Sequence, residues 1–329
     1  MIRKVFITRK IPDQGIKILI EKGYNVFVNP FDYVLDKKQL IQMAKGADAI
    51  LSLLTDKIDA EILDAIGPQL KIVANYAVGF DNIDLKAAKE RNVLIANTPG
   101  PEVILSVAEH TFTLMLALAR RITESDSFAK SGKYKGWEPM LLLGVDVYGK
   151  TLGIVGLGRI GEGVAQRAVK GFGMKVLYYD VNRNANFEKE YNAHYVSFEE
   201  LLKTSDFVSL HVPLLPSTHH LMSTKQFNLM KKTAFLINTA RGPVVDEKAL
   251  LKALNNKKIA GAALDVFECE PSIDCNPTDH MELKVFPNVI LTPHTASATI
   301  EARQAMSRIA AENIIAAFYG KEPPNIVRI

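Results

Sequence analysis

The chain has 329 residues and a mass of 36.4 kDa, room for two domains of ordinary size. Its composition, 48% hydrophobic and 23% charged, is globular and excludes bulk disorder. Lys and Arg total 40 and Asp and Glu 36, a net charge of +4, without the clustered positive field that a nucleic-acid surface needs.

Short apolar strands alternate with helices from the start. Strands are predicted at 2–8, 24–28, 48–53, 71–74 and 93–96, and helices at 12–22, 38–45, 59–66 and 84–90. This is the rhythm of parallel sheets covered by helices. Asn97-Thr98-Pro99-Gly100-Pro101 breaks it, and a long helix, apolar nearly all round, is predicted over 102–122. Gly132, Gly136, Pro139 and Gly144 make 125–147 a long loop. A second series of strands follows at 151–155, 175–179, 207–211, 234–238, 259–264 and 289–291, and a last helix at 298–319. Cys269 and Cys275, in no CxxC pattern, read as reduced thiols in a cytoplasm. The opening MIRKVFITRK is a strand with charges at both ends, not a signal peptide. No apolar run reaches the ~18–20 residues that cross a bilayer, so no membrane partner is expected.

The strand at 151–155 runs into Gly156-Leu157-Gly158-Arg159-Ile160-Gly161 and then a helix. In this GxGxxG, Gly156 permits a tight turn, Gly158 admits a pyrophosphate to the backbone, and Gly161 lets helix and strand pack closely. The helix N-terminus offers free N–H groups and partial positive charge. Asp180 closes the next strand, 19 residues past Gly161, where an acid suits ribose hydroxyls. A turn that merely needs glycines would not explain that acid.

Ligands of open parallel sheets sit beyond the C-terminal strand ends. There the later strands deliver Arg241, Asp265 with Glu268 and Glu270, and His294. The set suits carbonyl reduction: a guanidinium forks a carboxylate, and an imidazole beside a carboxylate can hand over a proton. Position alone leaves Glu268 and Glu270 both open as the histidine's partner. The other histidines receive no catalytic role, and the adjacent His219 and His220 read as loop residues, not metal ligands.

The segments NYAVGFDNID (75–84), SVAEHT (106–111), GKTLGIVGLGRIG (149–161), HVPLLPSTHH (211–220), NTARGPVVDEKAL (238–250), ALDVFECEP (263–271) and LTPHTASAT (291–299) give the chain a resemblance, over essentially its whole length, to the D-isomer-specific 2-hydroxyacid dehydrogenases. The stretch 133–161 looks most like the glyoxylate/hydroxypyruvate reductase branch. The resemblance implies an α/β fold of two doubly wound parallel-sheet domains: a flavodoxin-like substrate domain (1–99 plus 295–329), a Rossmann cofactor domain (100–294), and an active site in the cleft between them. It implies catalytic roles for Arg241, Glu270 (over Glu268) and His294. Substrate contacts fall on Leu54, Ala77, Val78, Gly79, Arg241 and His294. NAD, ahead of NADP, falls on Gly156, Gly158, Arg159, Ile160, Gly161, Asp180, Val212, Pro213, Thr218, Thr239, Ala240, Arg241, Asp265 (near the carboxamide), His294, Ala296 and Ser297. It further implies a homodimer through the 102–122 helix and the loop after it.

Departures narrow the choice. The family's His-x-Gly is His294-Thr295-Ala296 here, leaving slightly less backbone room. Val78 stands where phosphite dehydrogenases carry lysine, and Glu270 is kept where formate dehydrogenases lose it. No cation lies in 53–56 or 77–80 for a phosphorylated substrate, so a small 2-oxo acid, glyoxylate or hydroxypyruvate, is favoured over the D-lactate and D-3-phosphoglycerate alternatives. A non-enzymatic NAD-sensing co-repressor on the same fold is the rival of a different class. Beside Asp180, Arg183 is the residue that could compensate for the phosphate of NADPH.

Overall fold

The computed structural model describes residues 2–270 and 281–328. They divide into two units: Met1–Val103 with Ala298–Ile329, and Ile104–Glu270 with the described part of Asp274–Ser297.

The first unit runs β1 (Lys4–Ile7), α1 (Asp13–Glu21), β2 (Asn25–Val28), α2 (Lys37–Ala44), β3 (Ala49–Ser52), α3 (Ala60–Ile66), β4 (Ile72–Asn75), α4 (Leu85–Glu90) and β5 (Leu94–Ala96). Its sheet is parallel throughout, in the order β2-β1-β3-β4-β5. Asp36, Asp59 and Asp84 each accept a backbone N–H from the first turn of α2, α3 and α4, which is why those helices begin there. β3 and β4 are buried along their whole length, as strands covered on both faces must be. The strand order reverses between β1 and β3. There Thr8 Oγ1 donates to Asp56 at 2.5 Å and Leu53 N donates to the same carboxylate at 2.7 Å. Burial pushes the Asp56 carboxyl above its usual range despite these bonds.

The helix α5 (Pro101–Ala119) leads into the second unit. It stops short of the predicted 122: Arg121 is left-handed, with φ 52°, and α6 (Ile122–Lys130) starts anew there and runs into the 125–147 stretch predicted as loop. By length and composition α5 could span a membrane, contrary to the reading of uninterrupted runs, because Glu102, Glu109 and His110 are few enough to be outweighed. Yet 56% of it is buried within the fold, the signature of a core helix.

The second unit continues with β6 (Thr151–Val155), α7 (Arg159–Phe172), β7 (Lys175–Tyr179), α8 (Ala185–Tyr191), β8 (His194–Tyr195), α9 (Phe198–Thr204), β9 (Phe207–Leu210), α10 (Thr224–Leu229), β10 (Phe235–Asn238), α11 (Glu247–Asn255), β11 (Gly261–Leu264), α12 (Met281–Lys284) and β12 (Val289–Leu291). Its seven-stranded parallel sheet has the order β12-β11-β10-β9-β6-β7-β8. β8 and the helices α8 to α12 lie beyond the elements predicted from the sequence. Asn184, Ser197 and Asp246 caps mark α8, α9 and α11 in the structure. The chain then returns to the first unit as α13 (Ile300–Phe318), capped by Thr299, where Ser307 Oγ donates to Pro12 O and accepts from Gly15 N at the start of α1.

Two doubly wound parallel-sheet domains are thus as expected. The reduced-thiol reading is corrected: Cys269 is disulfide-bonded. Cys275 lies outside the described residues.

Candidate active site

In the second sheet the strand order reverses between β6 and β9, and the GxGxxG turn leaves β6 at that point. Gly156 has φ +94°, and a Cβ on it would meet the His211 carbonyl at 2.9 Å and Val212 Cγ1 at 3.0 Å. A Cβ on Gly161 would lie 2.2 Å from the Gly156 carbonyl. Gly158 differs: it is the exposed N-cap of α7, makes no side-chain cap, and a Cβ there would enter open space. Arg159 and Ile160 form the uncapped first turn behind it. A turn packed tightly at two glycines and open at the one facing the helix N-terminus fits a pyrophosphate.

Asp180 follows β7. Its carboxylate accepts from Leu157 N at 2.7 Å and Asn182 N at 3.0 Å, so it is tied to the glycine turn itself. Both border an open cleft of about 460 Å³ with Arg183 on its rim. Arg183, however, is forked onto Glu188 at 2.8 Å by two nitrogens.

At the ends of β10, β11 and β12, whose last residues pair in register, the structure gathers Arg241, Asp265, Glu270 and His294. His294 Nδ1 lies 2.7 Å from a Glu270 oxygen. Glu268 is engaged elsewhere, 2.6 Å from His220 Nε2 and linked to Glu247 through two backbone bonds. The two candidate carboxylates are therefore each claimed by a different histidine. His219 and His220 lie in a turn, as read from the sequence, and His220 is a partner of Glu268, 48 residues away.

Asp265 is wholly buried. Its carboxylate accepts from Thr292 Oγ1 (2.6 Å), Thr295 N (2.8 Å) and Ala296 N (2.8 Å), with His110 at 3.4 Å. Burial pushes this carboxyl up, but those contacts outweigh burial and hold it below its ordinary range. It thus serves the His294 turn from below. Ala296 fits there without a positive φ, its carbonyl accepting from Ser106 Oγ at 2.8 Å, and Ser297 follows half-buried.

Arg241 ends a turn built by the buried Asn238, whose amide accepts from Ala240 N (3.0 Å) and donates to Arg241 O (2.9 Å). Thr239 is buried against Thr111 at 2.8 Å, away from the turn's open side. Beyond β9, Thr218 Oγ1 closes its own loop onto Pro213 O at 2.6 Å. Asn238, His110 and Glu188, which support these side chains through hydrogen bonds or ion pairs, are not singled out by the sequence. A buried amide inside NTARG is the one available signal.

In the first unit, Leu54 lies in the turn closed by Asp56, and Ala77-Val78-Gly79 follows β4. Their carbonyls accept from Thr98 N (2.9 Å), Asn97 Nδ2 (2.6 Å) and Asn75 Nδ2 (2.9 Å). Across a trans peptide the next N–H points the opposite way, so the N–H groups of Val78, Gly79 and Phe80 face away from these partners.

A sequence-family model for the D-isomer specific 2-hydroxyacid dehydrogenase NAD binding domain matches residues 112–296. A glyoxylate reductase of Korarchaeum cryptofilum is 51% identical over 98% of this chain and 95% of its own length. A crystal structure of the TT0316 protein from Thermus thermophilus matches with TM-score 0.90 at 41% identity over 99% of this chain and all of that one. D-lactate dehydrogenase from Aquifex aeolicus, solved with NAD and lactic acid, matches with TM-score 0.86 at 33% identity over 99% of this chain and 99% of that one.

Proposed function

The chain belongs to the D-isomer specific 2-hydroxyacid dehydrogenase family, and on that premise we propose that it reduces a small 2-oxo acid, glyoxylate or hydroxypyruvate by preference, to the D-2-hydroxy acid (glycolate, from glyoxylate, has no stereocentre). The observation that carries the reading is the His294–Glu270 pair at the sheet edge that also bears the glycine turn. NAD is the cofactor of this domain. Gly156, Gly158 and the first turn of α7 hold its pyrophosphate, and Asp180 its ribose. When bound, the reduced nicotinamide supplies a hydride.

The chain's own residues do the rest. Glu270 on Nδ1 orients the ring, leaving Nε2–H to protonate the carbonyl oxygen. Arg241 forks the substrate carboxylate. Asp265 sets the His294 turn and so acts through it. The domain assignment, 1–99 with 295–329 for substrate and 100–294 for cofactor, belongs to the same proposal.

The proposal extends to a homodimer. Leu105, Trp137, Met140, Leu143 and Tyr148 are exposed along α5 and the segment after α6, with Trp137 at 82%, apolar side chains that a partner subunit would cover. It includes a cytoplasmic location. Among the described residues, the one helix apolar and long enough for a bilayer is the half-buried α5.

Assaying the purified chain with glyoxylate, hydroxypyruvate, pyruvate and 3-phosphohydroxypyruvate, each with NADH and NADPH, tests the reading. Highest kcat/KM for glyoxylate or hydroxypyruvate with NADH is expected. Preference for pyruvate would make it a D-lactate dehydrogenase. No turnover with any of the four would favour an NAD sensor on the same fold.

A further inference from the structure

We propose that Glu188 is a specificity-determining residue for the cofactor: it holds Arg183 away from the place where the 2′-phosphate of NADPH would sit. The inference rests on the reading that the adenosine ribose lies at Asp180.

Arg183 is the cation three residues past Asp180, on the rim of the same cleft. A guanidinium there is the obvious partner for a phosphate added to the ribose. Its fork is already filled, since Nε and Nη2 each donate to a different oxygen of Glu188 at 2.8 Å. Many exposed pairs of this kind are loose. This one is anchored. Glu188 also accepts from the hydroxyl of Tyr178 at 2.7 Å, and Tyr178 is fully buried. The same hydroxyl accepts from Asn184 N at 2.8 Å, where Asn184 caps α8, the helix that carries Glu188. The carboxylate is therefore fixed to its own helix cap through Tyr178, with a side chain only 16% exposed against 65% for Arg183. The Arg183 and Tyr178 contacts hold the Glu188 carboxyl down at about 2, so it stays ionised at any working pH.

Two consequences follow for NADPH. Arg183 must leave Glu188 to reach a phosphate, and the abandoned carboxylate would then stand close to that phosphate with like charge. Neither affects NADH, whose ribose hydroxyls need only Asp180. Cofactor choice is thus set twice, by an acid that repels the phosphate and by a second acid that occupies its natural cation.

The test is steady-state kinetics with glyoxylate on Glu188→Gln, Arg183→Ala, the double variant, and Asp180→Ser as a control for the ribose site. Glutamine keeps an acceptor for Tyr178 but releases the guanidinium. Glu188→Gln should lower KM for NADPH by about 3- to 10-fold at unchanged kcat, with both NADH constants unaltered. The gain should vanish in the double variant. Arg183→Ala alone, a change at an exposed side chain that does not threaten folding, should move KM for NADPH by less than about 2-fold. A gain that survives in the double variant, or a large NADPH loss in Arg183→Ala, overturns the proposal. If Asp180→Ser shifts cofactor preference and Glu188→Gln does not, the latch is wrong and the ribose site stands. If neither shifts it, the ribose site is wrong and the latch falls with it.

Discussion

The backbone N–H of His294 donates to the carbonyl of Asp265 at 2.8 Å, while the Asp265 carboxylate takes the next two N–H groups, those of Thr295 and Ala296. His294 itself is left-handed, with φ 53°, a conformation that a non-glycine residue keeps only when its surroundings impose it. Asp265 is what imposes it. Asp265→Asn keeps the shape but can accept on only one oxygen. Loss of a charge-assisted hydrogen bond, about 1.5–3 kcal/mol, predicts a fall in kcat of about 10- to 100-fold with KM for NADH little changed. A selective rise in KM for NADH would instead make Asp265 a direct cofactor contact.

His294→Ala should lower the reduction rate by ~10²–10⁴-fold while NADH still binds, as fluorescence titration would show, because the glycine turn is untouched. Glu270→Gln, which keeps the hydrogen bond but not the charge behind the imidazolium, should fall between that variant and the parent. Near-normal turnover in His294→Ala would remove it as proton donor.

Arg241→Lys preserves charge but cannot fork a carboxylate. With the turn still shaped by Asn238, a loss in kcat/KM should appear with every 2-oxo acid tested. Unchanged values would take Arg241 out of the site.

Burial lowers the imidazole of His211 to about 3, against the ~6.5 of an unfolded chain. Above ~6.5 both states hold it neutral. Between ~6.5 and about 3 the unfolded chain takes up a proton that the folded one refuses, so acidification favours unfolding. Urea titrations at pH 7 and pH 4.5 should show a stability drop that shrinks in His211→Gln, which can keep the contact with Ser209. An equal drop in both proteins would contradict this.

Trp137→Glu and Met140→Glu together place charge in the exposed apolar surface that follows α6. Sedimentation should find the parent dimeric at micromolar concentration and the double variant shifted toward monomer. A parent that is monomeric at that concentration would end the dimer proposal.

Strand and helix alternation, the glycine turn, the acid after β7 and the polar residues at the strand ends are all legible in the sequence, because each depends on neighbours within a few positions. Period and turn chemistry are local properties. The helices α8 to α12 lie outside the predicted elements. The left-handed break at Arg121, between α5 and α6, has no glycine or proline to announce it. What only the tertiary structure decided is the pairing of charges. Glu268 and Glu270 are two residues apart and chemically identical, yet one meets His220, 48 residues before it, and the other His294, 24 residues after. Asp265 follows β11 in the sequence, and only the fold shows its carboxylate taking the backbone N–H groups of Thr295 and Ala296. Arg183 reads as a free cation and is taken by Glu188, one turn into a helix that sequence patterning does not reveal. A carboxylate's partner is whichever donor the packing brings within about 3 Å. That distance is set by strand register and helix packing, which no single stretch of sequence contains.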